Sequence, residues 1–440
     1  MLKYKNMTTK IIKEKQPAGL YLLSLTETWE RFSFYAARGL LVLYLVEALK
    51  FEQGRASNLF GTFTSLTYLL PLFGGFIADK YWGQKKAIVF GAILIIAGQI
   101  LLGLEKVPLL YPSLLTIALG IGFLKPNVSS VVGDLYTQND ARRDGGFTIF
   151  YMGINLGAFL CNLIAGTLGE KVGWRYGFWT AALAMLIGLI MFLALQKKYI
   201  ANIGNAPKKI AKEDKQAQKT PLTKTEIKKI AVIFILAFFS VFFWTAYEQS
   251  GASLNIFAYQ YTQRNISFFG HSWEVPATWF QSLAPLYIIL LAPLFSKLWL
   301  FLAKKGKDPS TPMKFVIGLW LLGLGYGFMV IASMLLGPGV KIGMYFLGLT
   351  YLFHVLGELC LSPVGLSMVT KLSPARFVSL LMGVWFLSNA LANKLAGTYS
   401  SYFGKIDNVY FFGGLLLAPL AAGFVLLLLK KTLNNWMNAK

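Results

Sequence analysis

The chain has 440 residues, 56% of them hydrophobic and only 14% charged, with a mean hydropathy of +0.56. A soluble domain carries roughly 25% charged residues, so these values exclude an ordinary water-soluble enzyme and indicate a polytopic protein of the lipid bilayer. The net charge of +23 does not point to nucleic acid, because lysines and arginines stand in short clusters between apolar runs, as cytoplasmic loops of membrane proteins do.

About 20 apolar residues cross the hydrocarbon core. Twelve such stretches are predicted as helices, at 18–48, 58–78, 87–104, 109–131, 147–168, 175–196, 230–258, 278–301, 313–334, 341–370, 377–400 and 409–429. The basic start, with Lys3, Lys5, Lys10, Lys13 and Lys15, is followed by no small-residue cleavage site. Residues 1–17 are therefore expected to be an uncleaved cytoplasmic tail. With that tail inside, most of the 42 lysines and arginines fall on the inner side, which places both termini in the cytoplasm. Residues 197–229 carry ten lysines and no apolar period, the character of a basic linker. They divide the chain into a six-helix bundle at 18–196 and another at 230–431, with a tail at 432–440. Cys161 and Cys360 lie inside apolar stretches and imply packing rather than a disulfide framework.

Two six-helix bundles are the plan of major facilitator transporters. The loop "GGFIADKYWGQKK", with Asp79 and Gly83 followed by Lys85 and Lys86, resembles the cytoplasmic loop of that superfamily. "LKPNVSSVV" and "LSPVGLSMV" align on Pro126 and Pro363, in the fourth stretch of each half. Proline removes a backbone donor and bends a helix, and broken helices at matching places in two halves point to a transport site.

The first stretch contains "ETWERFSFYAAR". Ionisable residues inside a membrane are costly and functional by default. At helical spacing Ser24, Glu27, Glu30, Arg31, Phe34, Tyr35 and Arg38 share one side, while Leu25, Trp29 and Ala36 fall on the other. The charges can therefore line a cavity; the competing reading is a self-satisfied Glu–Arg cluster that holds helices together. Lys125, Glu248 and Glu358 add further intramembrane charge. At 1.5 Å per residue, Arg38 and Glu248 reach the outer half of the membrane, Lys125 and Glu358 the inner half. Two cross-bundle pairs are expected, Arg38 with Glu248 as an outer gate and Lys125 with Glu358 as an inner one. His354 lies one turn before Glu358, where it either titrates or stays neutral, bonded to a neighbouring helix. Lys394 is expected either to snorkel or to act as an inner charge partner. No phosphate-cradling loop, metal-ligand spacing or nucleophile–base set stands out, so neither an enzyme nor an ATP-driven pump is expected. The "GLGYG" run reads as close helix packing.

These segments carry a resemblance. "ETWERFSFYAAR" is similar to the ExxER signature of the proton-dependent oligopeptide transporter family, and "FTIFYMGINLGAF", "GWRYGFW", "FWTAYEQSG" and "GELCLSPVGLS" resemble further motifs of that family in the same order. The resemblance implies roles. Glu27, Glu30 and Arg31 would couple proton movement to transport. Arg38 and Lys125 would meet a peptide carboxylate, Glu358 its amino terminus, and Glu248 would titrate and pair with Arg38. Tyr35, Tyr68, Asn155, Trp244 and Trp385 would line the pocket. The family's eighth helix usually carries Asn in "QSLNP", whereas this chain reads "WFQSLAP" with Ala284; one amino-terminal hydrogen bond would be missing. Two helices that many bacterial relatives insert between the halves are replaced by the short linker.

The implied function is proton-coupled import of di- and tripeptides, with no cofactor beyond the proton and a monomer in the cell membrane. Two charged anchors at fixed separation measure chain length, since an extended peptide spans at most ~3.3–3.6 Å per residue. Aromatic walls accept varied side chains by area rather than shape. Protonation of Glu248 would free Arg38 for the peptide carboxylate. The same fold carrying nitrate or a peptide-like drug is an alternative, though a lone anion would not need Glu358. A non-transporting membrane receptor or a membrane-embedded enzyme is another.

Overall fold

In hydrocarbon a backbone group without an internal partner costs several kcal/mol, so a spanning segment must be helical unless it closes a barrel. The computed structural model is helical in every predicted stretch and describes residues 15–137, 140, 142–207, 221–268 and 270–439. Lys3, Lys5, Lys10 and Lys13 of the expected tail, residues 208–220 of the linker and Lys440 lie outside the described residues.

The first half comprises α1 (Ala18–Leu43), α2 (Gln53–Ile77), α3 (Gln84–Leu102), α4 (Val107–Asp134), α5 (Arg143–Cys161), α6 (Thr167–Lys171) and α7 (Trp174–Tyr199). The second comprises α8 (Lys224–Tyr247), α9 (Ser253–Tyr261), α10 (Leu283–Lys304), α11 (Thr311–Met334), α12 (Tyr345–Leu372), α13 (Val378–Ser400) and α14 (Asn408–Met437). A π turn at Asn162–Gly166 joins α5 to α6 into one span, and a 3-10 turn at Glu248–Gly251 does the same for α8 and α9. Among the described residues, ten spans are long and apolar enough to cross a membrane. The charge-bearing α1 and the Asn- and Lys-bearing α13 run beside them at similar length.

The halves repeat one packing scheme. In the first, α3 packs on α4 and α7, α2 on α4, and α1 on α5 and α7. In the second, α11 packs on α12 and α14, α10 on α12, and α8 on α13 and α14. Each contact has its counterpart at the same place in the other half, so the weak repeat seen around Pro126 and Pro363 extends to the whole bundle. The prolines do not break their helices, as had been expected. Both α4 and α12 run through them, because one missing N–H leaves the flanking turns intact. The carbonyl freed by Pro126 belongs to Gly122, and it faces Gly74 of α2, where any Cβ would collide with it.

Several boundaries differ from the expected ones. Helix α8 starts at Lys224 rather than 230, because Thr223 and Glu226 form a capping box: the Thr223 Oγ1 accepts from Glu226 N at 3.1 Å and the Thr223 N donates back at 2.8 Å. Helix α14 runs to Met437, through most of the expected tail. Residues 262–276 hold a small hairpin of β2 (Asn265–Phe268) and β3 (His271–Glu274), while β1 (Thr262–Gln263) pairs parallel with β4 (Ile342–Gly343) before α12. These strands are too short to show a period.

Helix pairs that carry contact between the halves include α2 with α13, α5 with α10 and α1 with α9. The first is a small-residue seam: a Cβ on Gly61 would stand 2.6 Å from the Gly397 Cα. Such close approach maximises dispersion contact where no hydrophobic driving force exists.

Candidate functional site

Helix α1 lies between α5 and α7 with both its sides covered. Glu27, Glu30, Arg31 and Arg38 are buried, and so is Ala36, which packs with Phe32, Cys161, Ala165, Ala181 and Ala184. Leu25 alone of the expected outer set is strongly exposed. The Arg31 guanidinium grips Glu30 with Nε and Nη2, the latter at 2.7 Å, and its Nε stands 3.2 Å from Glu27 Oε1. Glu27 Oε2 is buried without a hydrogen-bond partner. Lys125 of α4 sits 4.6 Å from the Tyr68 ring centroid.

About two turns further along α1, Arg38 crosses to the second half. Its Nη2 bonds Glu248 Oε2 at 2.5 Å and Ser250 Oγ at 3.1 Å, and its Nη1 reaches Gln281 Oε1 at 3.5 Å. The next residue, Gly39, offers its carbonyl to Asn255 Nδ2 at 2.8 Å and Gln281 Nε2 at 3.3 Å. Other cross-half bonds cluster at this end: Ser282 to the Phe159 carbonyl, Trp279 to Thr167, Ser400 to Ser57 and Lys394 to Thr62. Lys394 therefore serves a cross-half bond rather than an inner charge pair.

A cavity of about 170 Å³ lies between the halves directly beneath these contacts. Of the expected site residues, Tyr35, Arg38, Tyr68, Asn155, Trp244, Glu248 and Glu358 line it. Glu358 accepts from the Tyr247 hydroxyl at 2.5 Å, and the Trp244 Nε1 is buried with its donor unused. Ala284 is in the wall, beside Pro285 and Ile288. Lys125, Glu27, Glu30, Arg31 and Trp385 are not in it. Trp385 is instead buried against Phe315 and Gly365 within the second half. Lys125 and Glu358 are not joined in this conformation: the first faces Tyr68, the second Tyr247. His354 is fully buried among Tyr326, Tyr247 and Tyr351, and its Nε2 lacks the expected partner.

Sequence reasoning missed Tyr151, Asn162, Tyr247, Ser250, Gln281 and Asn393, which also line the cavity. Tyr247 and Tyr151 were recoverable, the first adjoining Glu248 and the second one turn before Asn155. A larger cavity of about 410 Å³, lined by Phe238, Phe242, Leu391, Leu395, Tyr402 and their neighbours, is almost wholly apolar. It holds no charge to orient a polar solute, so chemistry rather than size singles out the first.

The model of the POT family matches residues 85–216 and 206–416. The chain belongs to the POT family. It is 38% identical to the uncharacterized transporter YclF of Bacillus subtilis (strain 168), over 96% of this chain and 95% of the relative. It is 31% identical to the di-/tripeptide transporter of Lactococcus lactis subsp. cremoris, over 96% and 97%. The crystal structure of a peptide transporter POT in complex with sulfate superposes with a TM-score of 0.89 at 34% identity, covering 96% of both chains. In this POT-family chain the two-bundle architecture is thus the major facilitator fold, and the cavity lies between the bundles.

Proposed function

We propose that the protein is a symporter that imports di- and tripeptides with protons by alternating access. The observation that carries this is the cavity itself. It is built by both halves, closed at one end by Arg38 on Glu248, and carries a separate carboxylate, Glu358, for the opposite pole of a zwitterion. Relatives named as peptide transporters support the cargo. With Lys15, Lys197, Lys198 and the Lys224–Lys229 cluster on the cytoplasmic side, both termini are inside, the Arg38 end is outer, and the conformation is closed to the outside. Glu27 and Glu30, with Arg31 between their carboxylates, couple proton movement to transport. Glu248, when protonated, releases Arg38 to the peptide carboxylate. A single chain completes the cavity, so the working unit is a monomer in the cell membrane.

The test is uptake of a labelled dipeptide into proteoliposomes with and without an acid-outside gradient. Accumulation that collapses with the gradient is expected. Equal uptake in both conditions would refute proton coupling, and no uptake of any di- or tripeptide would refute the cargo.

A further inference from the structure

Arg38 does not hold the outer end alone. Glu170, on α6 of the first half, reaches into the second half. Its Oε1 accepts from Thr278 N at 2.8 Å and Thr278 Oγ1 at 2.7 Å, and its Oε2 accepts from Ala277 N at 2.8 Å. Arg264 Nη1 stands 3.9 Å from the same Oε2, and both side chains are about 95% buried, at 5% and 4% exposure. Every donor lies on the second half and both acceptor oxygens on the first. The other charged or titratable groups facing Glu170 are Tyr259 of α9, Glu274 of β3 and Lys171 of α6 itself, around one small polar cavity. Glu274 in turn bonds Arg264 at 2.8 Å and Lys171 at 2.7 Å.

An ionised carboxylate has acceptor capacity for all three donors and the guanidinium. An amide in its place must turn an NH2 towards N–H donors, losing acceptor capacity and the attraction of Arg264. The remaining seam contacts are independent of that change: the Gly39 carbonyl keeps its bonds from Asn255 and Gln281. Release of Arg38 by a proton on Glu248 therefore weakens the outer rim without parting every bond across it.

We propose that Glu170 is a positioning residue of the transport cycle: a second cross-half latch at the outer rim, whose bonds part before the halves separate there. This rests on the alternating-access reading above. The Lys171 ammonium, bonded to Glu274, holds that neighbouring carboxyl below its ordinary range, so Glu274 stays ionised and keeps its own bond to Arg264.

Nitroxides at Leu104 and Val340, both exposed in outer loops, report the separation of the halves by pulsed spin-label distances. Glu170→Gln is expected to populate the longer, outer-open distance about tenfold more than wild type, a change of ~1.4 kcal/mol. Glu170→Asp keeps the charge and is expected to stay nearer to wild type. Dipeptide KM should stay near wild type, because Glu170 is not in the cavity wall, while turnover changes. If Glu170→Gln does not fold, Thr278→Val removes one of the three bonds and should raise the open fraction a few-fold. A distance distribution identical to wild type in Glu170→Gln, or in Thr278→Val where that variant stands in, would overturn the latch if Glu248→Gln opens the same labels. If Glu248→Gln leaves them unmoved as well, the outer-gate reading fails instead.

Discussion

Glu248→Gln tests the outer gate most directly. Glu248 and Arg38 are each 7% exposed, and their contact of 2.5 Å joins the two halves. Two unit charges about 4 Å apart at an effective dielectric of 20 attract by about 4 kcal/mol. Breaking one side of a buried pair costs about 3–5 kcal/mol, because the other charge stays behind. The glutamine oxygen, Ser250 and Gln281 still accept from the guanidinium, and one such bond recovers about 0.5–1.5 kcal/mol. The outer-closed state should therefore lose about 2–4 kcal/mol relative to the outer-open one, a population shift of roughly 30- to 700-fold. The assay uses the labels at Leu104 and Val340 for the outer end, and at Tyr81 and Leu380, both exposed, for the inner end. Outer distances should lengthen and inner ones shorten, with loss of gradient-driven uptake. Unchanged outer distances, with dipeptide exchange intact, would show that Arg38 and Glu248 do not gate the cavity.

Glu358→Gln should shift the same labels the other way, towards the inward-open state, if Lys125 and Glu358 pair when the inner end closes; the same direction as Glu248→Gln would refute a two-gate cycle. Glu27→Gln or Glu30→Gln should abolish accumulation driven by a proton gradient while sparing counterflow exchange. Equal accumulation by mutant and wild type would remove the coupling role from this cluster. Ala284→Asn places an amide in the cavity wall and should tighten dipeptide binding by about 0.5–1.5 kcal/mol, the net worth of one hydrogen bond; an unchanged dissociation constant by calorimetry would show that the position does not meet the amino terminus. Gly61→Val forces a side chain against the Gly397 backbone and should cost about 1–3 kcal/mol, read as a lower melting temperature in detergent.

The helical spans and the charged face of α1 were legible in the chain alone. A bilayer imposes a length and a composition on each spanning segment independently of its neighbours, so local pattern suffices. The motif residues Arg38, Glu248, Asn155, Trp244 and Glu358 were legible for a different reason, their resemblance to a family, and the fold brings them into one wall. What decided the rest is tertiary. Lys125 meets Tyr68 rather than Glu358 because α4 packs on α2 of its own half, and no local pattern in the sequence shows that packing. Trp385 turns into its own half because Gly365 leaves room for an indole there, a vacancy set by helix–helix distance. Glu170 reads as an ordinary loop acid in "GEKVGW"; only the docking of residues 277–278 from the other half surrounds it with three donors. Hydrogen bonds between groups a hundred residues apart leave no local period, and it is these that join the two halves at the Arg38 end.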